Sequence, residues 1–176
     1  MKKSINKFTL LLFLSMLSLT VRVRAQNDNG IMHEPLKLSG PRAGLTYISG
    51  ELGKQMIEAG ITPYISQFGW QFETRYFQTR EGFQGLVETI ILVGGFETDK
   101  PVLSGSLLVG FRTKSGFEAG VGPNVSTFNG GTSSFVIAVG HTAKTEFVNI
   151  PVNFAYVPSA GAVKYTFLVG FNIRRK

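Results

Sequence analysis

Residues 67–76 read QFGWQFETRY, a stretch in which small or polar residues alternate with mostly aromatic ones. Successive side chains of a β-strand point to opposite sides of the chain. One face of this stretch therefore carries Phe68, Trp70, Phe72, Thr74 and Tyr76. The other face carries Gln67, Gly69, Gln71, Glu73 and Arg75. A period of two sustained over this length predicts a β-strand with one apolar and one polar face.

The same alternation recurs along the chain and predicts eight strands in all. The other seven are expected near 41–49, 83–96, 103–112, 117–126, 134–142, 148–156 and 163–174. Short connections rich in Gly, Asn and Ser separate most of them, which predicts antiparallel neighbours. Only the connection over 50–62 is longer, and the spacing of Leu52, Met56 and Ile57 predicts one or two helical turns there. Eight sequential strands without covering helices predict an all-β, antiparallel up-and-down barrel.

The first 25 residues are typical of a cleavable signal peptide. Lysines at 2, 3 and 7 precede an apolar stretch over 8–19, and Val23-Arg24-Ala25 resembles a cleavage site. The alternative is a membrane anchor, but the apolar run is short for a spanning helix, which needs about 20 residues. We expect residues 26–40, which are polar and without periodicity, to form a flexible lead-in to a barrel domain over 41–176.

Charge and cysteine content exclude several classes of function. The chain of 176 residues has a formal charge of +7, but cleavage after Ala25 removes five of the 18 basic residues and none of the 11 acidic ones. The remaining 13 basic residues leave a net charge of +2, and no basic stripe suited to nucleic acid remains. The absence of cysteine excludes disulfides, thiolate metal sites and an N-terminal lipid anchor. We expect no cofactor and no metal.

The alternation predicts two faces, and composition indicates which one lies inside. A soluble, lipocalin-like barrel would place the apolar face inside, whereas a membrane barrel reverses this arrangement. The bulky aromatic face would overfill an eight-stranded barrel. We therefore predict a membrane barrel whose interior charges pair with one another: Glu73, Arg75, Glu88, Arg112, Glu118 and Lys164. The lipid-facing or interfacial aromatics are then Phe68, Trp70, Phe72, Tyr76, Phe111, Phe117, Phe154, Tyr156, Tyr165, Phe167 and Phe171.

These features together resemble a known family. A signal peptide, a mature chain of 151 residues, eight amphipathic strands and a final strand over 165–173, YTFLVGFNI, are similar to the small outer-membrane β-barrels of the OmpX and OmpA transmembrane-domain type. The resemblance covers residues 41–174. It implies export to the outer membrane and contact with outer-membrane lipid.

Catalytic signals are weak. Lipid A deacylases of the outer membrane resemble a His-x-Ser arrangement, but here the sequence is His141-Thr142-Ala143, so the serine is missing. Glu73 and Glu88 would suit acid–base work, but a salt-bridged barrel interior is the favoured interpretation of both. We therefore predict a non-enzymatic protein with a structural or accessory role in the envelope, closed to conduction.

Two other functions stay open at this point. One is a soluble periplasmic barrel for a small apolar ligand, and the other is a lipid-modifying enzyme that uses His141. The segment from Glu51 to Gly60 is the best candidate for contact with an envelope protein partner or for a lid over one mouth. The pattern carries no signal for an oligomeric state.

Overall fold

The computed structural model describes residues 36–96, 101–128, 131–144, 148–159 and 161–174. The predicted signal peptide and residues 26–35 of the predicted lead-in lie outside the described residues. The described elements are β1 (Leu36–Ser49), α1 (Glu51–Glu58), β2 (Tyr64–Gln78), β3 (Gln84–Gly94), β4 (Val102–Arg112), β5 (Phe117–Ser126), β6 (Thr132–Lys144), β7 (Asn149–Ser159), β8 (Ala162–Gly170) and β9 (Ile173–Arg174). No helix in these ranges is long and apolar enough to cross a membrane.

The strands form one closed antiparallel sheet. Each strand from β2 to β7 pairs with the next one in sequence, and β1 closes the sheet by pairing with β2 on one side and with β8 and β9 on the other. β9 continues β8 in the same register, since Arg42 faces Gly170 and Ser39 faces Ile173. The predicted eight-stranded up-and-down barrel is confirmed.

The barrel has two distinct ends. The end that carries α1 and the connections after β3, β5 and β7 is called the helix end. The opposite end, called the turn end, carries the connections after β2, β4 and β6, the start of β1 and the short strand β9. At the helix end, α1 confirms the predicted helical turns and packs Leu52 and Met56 against the buried side chains of Ile48 and Ile65.

The connections after β2 and β4, both at the turn end, are closed by the same backbone hydrogen bond. Thr79 and Thr113 each close a tight loop, in which their N–H groups donate to Phe83 O and Phe117 O, both at 2.8 Å. The fourth residue of each loop, Gly82 or Gly116, has φ of 88° or 100°. A residue with a side chain rarely adopts that conformation, so glycine permits the return of the chain within four residues.

The first strand begins five residues before the predicted start at Pro41, because Leu36 already pairs with Arg75. The stretch before Pro41 is polar and without clear periodicity, which predicts a lead-in, but its last five residues already pair with β2. Pro41 itself lies within the strand, opposite Trp70 of β2. The neighbouring Arg42 side chain donates to Phe171 O at 3.3 Å. The ladder is interrupted there, between β8 and β9.

Candidate functional site

The inside of the barrel holds a cluster of charged side chains centred on Arg112, at the end of β4. Its guanidinium group donates two hydrogen bonds to the Glu73 carboxylate of β2, Nη1 to Oε1 at 2.6 Å and Nη2 to Oε2 at 2.7 Å. Its Nε donates to Glu118 Oε2 of β5, also at 2.6 Å. Glu88 Oε1 of β3 lies 4.0 Å from Nη2. All four residues are buried.

A second arginine, Arg42 of β1, extends the cluster to the other side of the interior. Its Nε donates to Gln71 Oε1 at 2.9 Å, and its Nη2 donates to Asn172 Oδ1 at 2.6 Å. Gln71 in turn donates to Glu88 Oε1 at 2.7 Å. Asn172 donates to Glu73 Oε2 at 3.3 Å, which joins the two arginine centres. The polar network is defined here as Arg42, Gln71, Glu73, Glu88, Arg112, Glu118 and Asn172.

At the edge of the polar network, uncharged side chains donate hydrogen bonds to the Glu118 carboxylate. Glu118 accepts a hydrogen bond from Thr142 Oγ1 at 3.0 Å and one from Asn153 Nδ2 at 2.6 Å. Ions removed from water are costly unless hydrogen bonds and opposite charges replace the lost hydration. Here two guanidinium groups face three carboxylates, and each carboxylate accepts at least one hydrogen bond from a side chain.

Four of the six charged residues singled out in the sequence lie together in this network, and two lie apart from it. Arg75 is half-buried near the turn end, where its Nη1 lies 3.4 Å from Gln78 Oε1. Lys164 of β8 is buried toward the helix end. Sequence reasoning missed Arg42, although its even-numbered position in β1 places it on the same face as Thr46 and Ile48.

Between the polar network and the helix end lies a cavity of about 60 Å³. One side of it is an apolar wall, formed by the buried cluster of Leu108, Val136, Ala138 and Val157. The rest of the lining is mixed. Its apolar members include Ile90, Leu92 and Val102, and its polar members include Ser104, Ser106, Asn124, Thr166 and Lys164. At the helix end Ile65 and Phe128 line it, and these two pack in the same cluster as Leu52 and Met56 of α1.

The outside of the barrel is apolar and largely aromatic. Of the eleven aromatic residues singled out in the sequence, Phe111, Tyr156 and Tyr165 are half-exposed and the other eight are exposed. Tyrosines gather near the helix end, where Tyr47 lies with its ring centroid 5.1 Å from Tyr64 and 6.3 Å from Tyr165. Tyr156 extends this row, 5.7 Å from Tyr165.

Near the turn end the outer aromatics are mostly phenylalanines. The ring of Phe83 lies 6.2 Å from Phe77 and 5.2 Å from Phe111, and Phe111 lies 6.3 Å from Phe117. Strict alternation would turn Phe77 inward. A register shift between Arg75 and Phe77 instead places both Tyr76 and Phe77 on the outside.

The structure does not assemble a catalytic site at His141. The imidazole side chain is exposed on the outer face of β6, whereas Thr142 is buried inside and bonded to Glu118. A base must lie within hydrogen-bond reach of the hydroxyl that it activates. Within the described ranges, no group of three His, Cys, Asp or Glu side chains is placed to hold a metal ion.

Comparison with solved structures identifies the fold. The structure of Ail, the attachment invasion locus protein of Yersinia pestis, superposes with a TM-score of 0.51 at 14% identity and covers 78% of this chain and 98% of that one. The chain has the fold of a small outer-membrane β-barrel. Neisserial surface protein A is a second similar structure, with a TM-score of 0.45 at 12% identity over 80% of this chain and 97% of its own.

A third similar structure is that of the Yersinia pestis outer membrane protein Ail in a phospholipid bilayer nanodisc, with a TM-score of 0.45 at 13% identity over 78% of this chain and 99% of that chain. No family model matches the barrel, and no curated protein matches its sequence. The predicted resemblance to small eight-stranded outer-membrane barrels is confirmed at the level of the fold.

Proposed function

We propose that this protein is an outer-membrane barrel that crosses the membrane with its eight strands, has a closed bore and serves a non-enzymatic structural or accessory role in the envelope. The observation that carries the proposal is the reversed placement of side chains. Charged side chains such as Arg42, Arg112 and Glu73 are buried inside the barrel. Large apolar side chains such as Phe68 and Phe167 are exposed outside it.

The exposed apolar surface supports contact with lipid. Water-soluble proteins rarely expose contiguous apolar surface over more than a few hundred Å². Here every strand from β1 to β8 presents exposed or half-exposed apolar side chains. A closed sheet also satisfies the backbone N–H and C=O groups that lipid cannot. The tyrosines near the helix end and the phenylalanines near the turn end support two interfacial belts, since aromatic rings favour the membrane–water boundary.

The polar network supports a closed bore. An eight-stranded barrel leaves an interior just wide enough for side chains. Arg112 reaches from β4 to partners on β2 and β5, and Arg42 reaches from β1 to Gln71 and to Asn172. These bonds cross the interior between the turn end and the cavity described above. We infer that ions and sugars do not pass.

The two other functions weighed from the sequence receive less support. A lipocalin-like carrier would need an apolar interior, and ligand pockets of that kind hold roughly 300–1,000 Å³. A lipid-modifying enzyme would need the base and hydroxyl together, whereas His141 and Thr142 lie on opposite faces of β6.

We propose that the accessory role depends on the outer surface of α1, where Lys54, Gln55 and Glu58 are exposed at the mouth of the barrel.

Fractionation and gel mobility test the proposal. The chain is expressed with its first 25 residues, and membrane and soluble fractions are compared on gels with and without boiling. We expect a band in the outer-membrane fraction whose mobility changes on boiling, because a closed barrel resists detergent until it is heated. A soluble periplasmic band whose mobility does not change on boiling would overturn the proposal.

For the accessory role, a native-detergent pull-down should recover an envelope protein with the wild-type barrel and lose it with the K54E/E58K variant. Recovery of the barrel alone would count against that role.

A further inference from the structure

Lys164 lies inside the barrel, and none of the acidic side chains that the structure describes pairs with it. It is 8% exposed, and its side chain lines the cavity. Within the described ranges no carboxylate lies within ion-pair distance of its ammonium group, and that group makes no hydrogen bond. Glu88 lines the same cavity, but it accepts a hydrogen bond from Gln71 and faces Arg112. Buried charges are normally paired, so the surroundings of Lys164 favour an anion.

The apolar wall indicates what kind of anion fits beside this lysine. Val157 of β7 stands directly opposite Lys164 in the β7–β8 register. It belongs to the buried cluster with Leu108, Val136 and Ala138, and all four side chains line the cavity. A cation next to an aliphatic surface suits a ligand with a charged head and a short alkyl tail. A bare inorganic ion would leave that surface without a partner.

The remaining polar groups set the size of the ligand and its hydration. Asn124 Oδ1 and Asn153 Oδ1 are buried without a hydrogen-bond partner, and both residues line the cavity. A buried acceptor of this kind is normally satisfied by ordered water or by a ligand donor. A volume of about 60 Å³ holds about four to six water molecules. That space fits a molecule of a few heavy atoms.

We propose that the cavity is a binding site for a short-chain monocarboxylate of two to four carbons. The carboxylate accepts hydrogen bonds from Lys164, the alkyl chain lies against the wall that contains Val157 and Leu108, and water bridges the ligand to Asn124. α1 covers the site, since Leu52 and Met56 pack against the cluster of Ile65 and Phe128 at its roof. The site does not depend on the accessory role proposed above.

Titration of the folded mature protein in a neutral detergent tests the site. Acetate, propionate, butyrate and octanoate are titrated by calorimetry in a chloride-free buffer. We expect saturable binding that strengthens by about fourfold for each added methylene from acetate to butyrate. Octanoate should bind more weakly than butyrate because it exceeds the cavity. Chloride that binds as tightly as butyrate would overturn the proposal in favour of an inorganic anion site, and so would the absence of saturable binding.

Two variants with a control locate the binding. K164M removes the charge at nearly the same length and should weaken butyrate at least about tenfold. K37M, at an exposed position of β1, should leave the affinity unchanged. L108F fills the apolar wall without changing any charge and should weaken butyrate more than acetate. Each variant is first checked for the heat-modifiable band, so that loss of the barrel is distinguished from loss of the site. Wild-type affinity in both folded K164M and folded L108F would overturn the proposal. If K164M does not fold, L108F alone tests the site, and a wild-type butyrate affinity in folded L108F then overturns the proposal.

Discussion

Arg112 holds the Glu73 carboxylate by two nearly parallel hydrogen bonds, 2.6 and 2.7 Å long, inside a barrel whose outer surface is apolar. The two residues come from strands β4 and β2, which are not neighbours in the sheet. The pair therefore crosses over the intervening strand β3 and fixes the interior distance between its two flanking strands. Such bidentate pairs are among the stronger hydrogen-bonded contacts in proteins.

Loss of this arginine should destabilise the barrel strongly. R112M leaves Glu73, Glu88 and Glu118 buried without their shared cation, and breaking a buried pair from one side costs about 3–5 kcal/mol. We expect the midpoint of urea unfolding, followed by the heat-modifiable gel band, to fall markedly. R80M removes an exposed arginine from the turn after β2 and should leave the midpoint unchanged. Equal midpoints for R112M and wild type would contradict the structural role of the network.

Two glycines in neighbouring strands should respond oppositely to alanine. A Cβ at Gly122 of β5 would lie 1.8 Å from Leu107 O of β4, so the strands would have to separate. We expect G122A to lower the free energy of unfolding by about 1–3 kcal/mol. At Gly105 the nearest atom would be Val125 Cγ2 at 3.7 Å, an ordinary contact. G105A should be neutral or stabilising by up to about 1 kcal/mol. A reversed order in urea unfolding would show that the strand spacing is wrong.

A charge on the outer face should be costly only where lipid covers it. Phe167 lies in the middle of β8, between Leu45 and Phe154, and is 52% exposed. F167R should lower stability in lipid vesicles by about 2–4 kcal/mol, the cost of an arginine at the bilayer centre. F96R, beyond the end of β3 at the rim, should cost about 0–1 kcal/mol. A barrel exposed to water predicts no penalty for F167R, so equal stability of the two variants would exclude the proposed bilayer placement.

The closed bore can be measured directly. The polar network crosses the interior, so purified protein in liposomes should not speed the entry of a small sugar or produce steps of conductance in a planar bilayer. A general porin in the same liposomes serves as the positive control. Sugar entry above that of empty liposomes, in proportion to the amount of folded barrel, would contradict the proposal that the bore is closed.

Alternation along the chain was sufficient to predict the strands, their order and the closed barrel. This alternation is informative because successive side chains of a strand point to opposite faces of the sheet. The inner face of the barrel wall is mostly polar and the outer face is mostly apolar, so the pattern is regular. The prediction was wrong at the start of the first strand, where Pro41 lies inside an extended chain that already begins at Leu36. Beyond the predicted second strand, a register shift at Phe77 turns two successive aromatics outward, which strict alternation does not describe.

The interior partners are harder to obtain from sequence. Arg42 and Asn172 are 130 positions apart, and their hydrogen bond follows from closure of the sheet rather than from local pattern. Lys164 and Arg112 both lie at polar positions of the alternating pattern. Among the described residues Arg112 contacts three carboxylates, whereas Lys164 has no ion pair there. The pairing of charged side chains inside the barrel depends on how far each strand is shifted along the barrel axis relative to its neighbours. Alternation alone does not specify that shift.

The bonds made by Asn172 have a consequence for how the barrel assembles. This residue, four positions from the end of the chain, joins Arg42 of the first strand to Glu73 of the second. In a sheet that lacks its final seam, Arg42 loses one acceptor and Glu73 loses one donor. The ion pairs of Arg112 with Glu73 and Glu118 lie among β2, β4 and β5 and do not need that seam. Closure of the barrel therefore adds uncharged hydrogen bonds to a charge cluster that the middle strands already hold together.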